Sequence, residues 1–181
     1  MKSVLKGIIL ALVTAIVVVV GGAYLISPVA QVERAIVIQA PPEKIYAIVG
    51  SLKRFNEWSP WADIDPTTAY SFEGPEQGVG QKMLWASNNP NVGKGSQSVV
   101  EAVANERLVT ELDFGQMGKS ISTMTLNPVN GGTAVTWTFR AEVNGIAERW
   151  MSLMFPKWIG ADYGKGLAKL KSLAEKEQAG G

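Results

Sequence analysis

Between Arg54 and Trp61 the chain reads Arg-Phe-Asn-Glu-Trp-Ser-Pro-Trp. Three large aromatic side chains and a proline fall within eight residues, in a chain that is only 8% aromatic. Each such ring buries an area of about 150–250 Å². The cluster must therefore seed a core or line a cavity, and the elements that follow must be able to close over it. It holds no nucleophile and no set of metal ligands, so it speaks of architecture and binding before chemistry.

A second stretch sets the organisation. Gly7 to Ile26 runs without a charge and matches the roughly 20 apolar residues that cross a bilayer as a helix. Lys2 and Lys6 also make a short basic start of the kind a secretory signal has, but a signal's apolar region is only about 7–15 residues. Its cleavage sites are poor as well: Pro28 lies three before a cut after Ala30, and Gly21-Gly22-Ala23 sits inside the run. An uncleaved single-pass anchor is the favoured reading. Lys2 and Lys6 then stay cytoplasmic and the domain is extracytoplasmic, periplasmic in a bacterium, or secreted if the segment is cut. The divisions expected are a cytoplasmic N-terminus (1–6), a transmembrane anchor (7–26), a tether (27–31), one domain (32–176) and a disordered tail (177–181).

Composition removes whole classes of function. Without Lys2 and Lys6, the 17 basic residues become 15 against 16 acids, a domain near −1. No Lys/Arg run lies beside an aromatic platform, so a nucleic-acid partner is not expected. The chain has no cysteine and no histidine. That excludes disulfides, thiolate nucleophiles, zinc–thiolate sites and the commonest general base. No cofactor and no metal are expected. Asp63-Ile64-Asp65-Pro66 offers two acids, far fewer oxygens than the six to eight calcium takes, and reads as a turn.

In order, Val32 to Gln39 reads as a strand with Arg34, Ile36 and Ile38 on one side. Pro41-Pro42-Glu43 opens a helix bearing Ile45, Ile48 and Val49, with Gly50 as its cap. Ser51 is the expected N-cap of a second short helix carrying Leu52 and Phe55, which Pro60 ends. Six strands should follow at 68–73, 81–87, 96–103, 108–114, 120–126 and 133–143. The last is the clearest: Val135, Trp137, Phe139, Ala141 and Val143 alternate with Thr136, Thr138, Arg140 and Glu142, the period of a half-buried antiparallel strand. Asn130-Gly131-Gly132 before it is a hairpin signal.

After Gly145 the pattern is helical to the end. Ile146, Trp150, Leu153 and Met154 share a face, and Ile159, Tyr163, Leu167, Leu170 and Ala174 continue it beyond Pro156, which should split or kink the helix. Gly160, Gly164 and Ala168 form a stripe of small residues, there either for close packing on the sheet or to leave room for a ligand.

This order of elements resembles the helix-grip fold of the START-like superfamily, in particular the polyketide cyclase/dehydrase type of SRPBCC proteins. The resemblance is carried by Pro41-Pro42-Glu43-Lys44-Ile45-Tyr46, Phe55-x-x-Trp58-x-Pro60-Trp61, Asp65-Pro66, the Gly80…Trp85…Gly95 series, Thr133-x-Val135-x-Trp137 and Gly166-Leu167-x-x-Leu170-Lys171. It implies an α+β domain: a seven-stranded antiparallel sheet wrapped around a long C-terminal helix, with two short helices after strand 1. It also implies an apolar cavity for a lipid or other hydrophobic small molecule between sheet and helix. Phe55, Trp58, Trp61, Trp85, Trp137, Phe139, Trp150 and Tyr163 are the candidate lining, each with plain core packing as its alternative. No catalytic residue maps onto the chain. A cyclase or dehydratase would have to draw on polar candidates such as Arg149 and Tyr163. The remaining alternative is an envelope structural protein with a filled core. No protein partner can be read from the sequence.

Overall fold

The alternation that ends at Val143 is realised in β7 (Gly132–Glu142), the strand on which the sheet is built. Val135, Trp137 and Phe139 point inward and are buried, while Arg140 is exposed. In this computed structural model, which describes residues 2–180, β7 pairs on one side with β1 (Val29–Ile38) and on the other with β6 (Lys119–Val129). The sheet continues through β5 (Arg107–Asp113), β4 (Lys94–Val103), β3 (Lys82–Ala86) and β2 (Ala69–Glu73). All seven strands are antiparallel, in the order β1-β7-β6-β5-β4-β3-β2. The turn Asn130-Gly131 joins β6 to β7, with Val129 opposite Gly132.

Helices close the concave face. α2 (Pro42–Val49) and α3 (Phe55–Trp58) follow β1; α4 (Ile146–Ser152) and the long α5 (Phe155–Ala179) follow β7. Pro156 stands in the first turn of α5, where its missing N–H costs nothing, so the expected split falls between α4 and α5. Ile38, Ile45, Ile48, Val135, Leu167 and Leu170 form the tightly packed centre between α2, α5 and the sheet. Fold class and order of elements agree with the expected α+β helix-grip arrangement. α1 (Lys2–Leu25) precedes them, and Ser3–Leu25 is long and apolar enough to cross a membrane.

Several boundaries differ from the sequence reading. β1 starts at Val29 rather than Val32, because Val29 and Ala30 already pair with Glu142 and Ala141 of β7. Only Ile26, Ser27 and Pro28 separate the end of α1 from the sheet, in place of a five-residue tether. Ser51 stands at the expected N-cap position, but its side chain makes no capping hydrogen bond. The buried side chain of Gln81 takes that role, accepting the Leu52 N–H (3.0 Å) and donating to the Gly50 carbonyl (2.8 Å). At the far end α5 runs on to Ala179, where a disordered tail was expected, and Glu177 accepts a hydrogen bond from Arg54 at 2.5 Å. Gly181 lies outside the described residues.

The small-residue stripe also resolves differently. Gly160 is buried under the Arg34 guanidinium, and a Cβ there would meet it at 2.2 Å. Gly164 and Ala168 face solvent. The second close approach is at Gly166, where a Cβ would lie 2.8 Å from the Trp137 ring and 3.2 Å from Pro60. An α-helix turns 100° per residue, so the face gripped by the sheet includes 163, 166, 167 and 170, and a strict four-residue spacing drifts off it.

Candidate functional site

The inward faces of β6 and β7 are graded in size. Along β6 the buried residues are Ser120, Ser122, Met124 and Leu126; along β7 they run from Phe139 back to Trp137 and Val135, with the small Ala141 beyond. Large side chains fill the end near Leu126 and Val135, against the second half of α5. Near Ser120 and Ala141 the side chains are too short to reach the helix. Protein interiors otherwise pack to crystal-like density, so this run of short side chains leaves space, and a cavity of about 470 Å³ occupies it.

Its floor is one row across the sheet, Met83, Gln97, Leu112, Ser120 and Ala141, paired strand to strand. Its roof is the first half of α5, from Phe155 through Ile159 to Tyr163. The mouth lies between the loop Pro90–Lys94, the turn at Met117–Lys119 and the corner where α4 meets α5, with Glu148, Met151 and Trp158 on that side.

The aromatic cluster closes the inner end. Phe55 meets Trp58 edge to face at 4.9 Å, and Trp58 meets Trp137 likewise at 5.1 Å. Trp61 stacks on Phe55 at 6.3 Å and stands edge-on to Tyr163 at 6.4 Å. Lys169 of α5 ties the cluster down, donating to the Ser59 carbonyl (3.1 Å) and to Asp63 (2.8 Å). Asp65 acts as the turn residue it was read as: its carboxylate accepts the Thr67 N–H at 2.9 Å and the Ser87 hydroxyl, which hold its pKa down. Among the described residues no cluster of acids is fit to hold a metal ion.

Of the eight candidate lining residues, Phe55, Trp61, Trp85, Trp137, Phe139 and Tyr163 face the cavity. Trp58 does not reach it. It is buried behind Phe55 and Trp137 and backs the wall. Trp150 lies elsewhere: its indole N–H donates to the Val19 carbonyl of α1 at 3.1 Å. The periodicity placed Trp150 on an apolar face correctly, but that face meets α1 and not the sheet. Arg149, a polar candidate for chemistry, is likewise turned away. It donates to the carbonyls of Val143 (3.2 Å), Ile26 (3.3 Å) and Ala23 (3.4 Å).

Two serines on the cavity wall were not singled out from the sequence. Ser122 receives the Trp137 indole N–H at 2.8 Å and lies 3.4 Å from the Tyr163 hydroxyl. Ser120 is 5% exposed, and its hydroxyl has no hydrogen-bond partner among the described residues. The buried carbonyl oxygen of Asn56, at the inner end, is also unpartnered. A buried polar atom left unpaired is unfavourable by about 1–3 kcal/mol, so these atoms are ready places for the polar part of a ligand. The signal was available: Ser120 and Ser122 share the parity of Met124 and Leu126 and so had to face inward. Burial pushes the Tyr163 pKa up, with the Ser122 hydrogen bond only partly opposing it. At neutral pH its hydroxyl is therefore protonated.

Comparison with known proteins agrees with this architecture. No curated protein matches the sequence. Among solved structures, a protein of unknown function from Staphylococcus aureus superposes with a TM-score of 0.65 at 12% identity, covering 83% of this chain and 96% of that one. The di-domain ARO/CYC protein StfQ from the steffimycin biosynthetic pathway gives 0.63 at 13% identity, over 84% of this chain and 52% of StfQ. The Aha1 dimer from Colwellia psychrerythraea gives 0.54 at 21% identity, over 80% and 96%. At such identities these likenesses establish the fold alone. The family model described as polyketide cyclase / dehydrase and lipid transport matches residues 29–175, the whole of the sheet and nearly all of α5, and the chain belongs to that family.

Proposed function

We propose that this protein is a membrane-anchored binding module that holds one hydrophobic small molecule or lipid between its sheet and α5. The observation that carries the reading is the cavity itself. Its volume, about 470 Å³, falls in the range of about 300–1,000 Å³ typical of small-molecule sites. Its walls are aromatic and aliphatic, and Ser120 supplies a buried, unpartnered hydroxyl. That combination suits a ligand with an apolar body and a single polar group. An envelope protein with a solid core would leave no such space. The family description, which includes lipid transport, points the same way.

The membrane part rests on Ser3–Leu25. At about 1.5 Å per residue its 23 residues extend about 35 Å, against a hydrocarbon thickness of about 30 Å. The positive-inside rule, applied to Lys2 and Lys6, supports a cytoplasmic start with the domain outside. A cyclase or dehydratase is the weaker reading, since its two candidates are separated: Tyr163 faces the cavity, while Arg149 is engaged with the end of α1.

Organic extraction of the purified full-length protein, followed by mass spectrometry, tests the binding reading. A stoichiometric apolar molecule is expected. Finding none, together with no binding of an apolar fluorescent probe, would sink it.

A further inference from the structure

α4 is a partition between two parts of the molecule. Glu148 and Met151, three residues apart on one side, line the cavity. Arg149 and Trp150, on the other side, hold α1. Arg149 caps the carbonyls of Ala23 and Ile26 and lies over the Tyr24 ring at 5.4 Å. The Trp150 ring packs so closely on Gly22 that a Cβ there would come within 2.8 Å of it. Its indole N–H reaches the Val19 carbonyl. Val19 lies seven residues before Ile26, or about 10 Å back along a helix. The contact is thus made inside the apolar run, not after it.

The surface around this contact is apolar too. Outside α1, the described residues include 14 exposed large hydrophobic side chains, and six of them fall in the 13 residues from Ile146 to Trp158. These are Ile146, Trp150, Met151, Leu153, Met154 and Trp158. Met117, 80% exposed, adds to the same rim from the turn between β5 and β6. An apolar concentration of this kind marks a contact surface, and tryptophan beside a spanning helix is characteristic of the membrane–water interface. The charges of the cavity lining and of this corner nearly balance: Lys94, Lys119, Arg149 and Lys157 are set against Glu142, Glu148 and Asp162. A patch of this composition suits insertion into neutral lipid rather than attraction to an anionic surface.

Resting on the reading of α1 as a membrane anchor, we propose that the α4–α5 corner is seated in the headgroup–acyl boundary of the phospholipid leaflet that α1 emerges from. The cavity mouth then opens directly onto that leaflet, and an apolar ligand passes between bilayer and cavity without crossing water. Interfacial helices bury their apolar face about 5–10 Å into this boundary, comparable with the distance of about 10 Å along α1 from Ile26 back to Val19.

The absence of cysteine makes the test direct. Single-cysteine variants Met154→Cys and Trp158→Cys of the full chain, both at exposed positions, are labelled with an environment-sensitive fluorophore. They are then reconstituted into phosphatidylcholine vesicles with and without nitroxide-labelled phosphatidylcholine. Val13→Cys in α1 reports spanning, and Val37→Cys, exposed near the far end of β1, reports water. Labels at 154 and 158 are expected to be quenched at least twofold more than at 37, and most by nitroxides placed near the headgroup. Quenching at 13 with 154 and 158 behaving like 37 overturns this proposal and leaves the anchor standing. No quenching at 13 overturns the anchor and this proposal together.

Discussion

The ring of Tyr163 lies over that of Trp137, centroids 3.7 Å apart and planes 10° from parallel, and the polar ends of both rings turn to the hydroxyl of Ser122. The stack joins α5 to the sheet at the boundary between the packed half of the domain and the open half. Tyr163→Phe keeps the stack and loses one long hydrogen bond, so a loss of no more than about 1 kcal/mol is expected. Tyr163→Ala removes the stack and should lose about 3–5 kcal/mol. Urea denaturation distinguishes the two.

The same residue sets an alkaline limit. Burial raises the folded-state pKa of Tyr163 above the usual value of about 10. Its contribution to stability is therefore complete below pH 10 and is lost as pH rises through the folded value, because the unfolded chain ionises first. Unfolding free energy should fall with pH above about 10, and Tyr163→Phe should flatten that slope. An unchanged slope in the variant would remove Tyr163 from the explanation.

Ser120→Leu places a branched side chain in the cavity where the serine hydroxyl has no partner. Stability should be unchanged or raised by about 1 kcal/mol, since an unsatisfied polar atom is removed and apolar surface buried. Affinity for an apolar fluorescent probe should fall tenfold or more, about 1.4 kcal/mol. A variant that binds the probe as the parent does would show that the probe sits elsewhere.

Gly164 and Gly166 make a matched pair on α5. Gly164 faces open space, and Gly164→Ala should raise stability by about 0.5–1 kcal/mol through helix propensity. Gly166→Ala drives a methyl into the Trp137 ring and Pro60 and should lower stability by about 1–3 kcal/mol. Thermal melts of the two variants should move in opposite directions.

Acid should act through Asp65 and Glu175. The Ser87 and Thr67 hydrogen bonds depress the Asp65 pKa, and the Gln39 N–H, with Lys171, depresses that of Glu175. Both contribute stability that is present above the unfolded carboxylate values of about 4 and lost as pH falls through the folded ones. Asp65→Asn should leave the melting temperature less sensitive to pH below about 4. A melting temperature that falls with acid as steeply as the parent's would rule Asp65 out.

What could be read in advance follows from what a local pattern encodes. Alternation told which faces of β7 were inward because a strand has only two faces, while the seven-stranded sheet around the C-terminal helix was implied by the family resemblance. The aromatics from Phe55 to Trp61 could be assigned to a core or a cavity wall because rings of that size have to be covered. Trp150 could not be placed, since helical periodicity shows that residues share a face but not what covers it. The small-residue stripe misled for a related reason: Gly160 packs against Arg34, a long-range neighbour, while Gly166 rather than Gly164 continues the contact. The serines of β6 were legible but easily passed over, because a cavity is made by what is small, and pattern reading attends to what is large.

The shortness of the Ile26-Ser27-Pro28 link has a consequence for reach. Three extended residues span about 11 Å at most, less than the radius of gyration of about 15 Å expected for a domain of this size. Arg149 further clamps the last carbonyls of α1, so even that slack is not free. On the proposed reading, the domain cannot swing out to deliver its cargo at a distance. It works as a fixed station, and any carrier that takes the ligand onward has to come to the mouth of the cavity and collect it there.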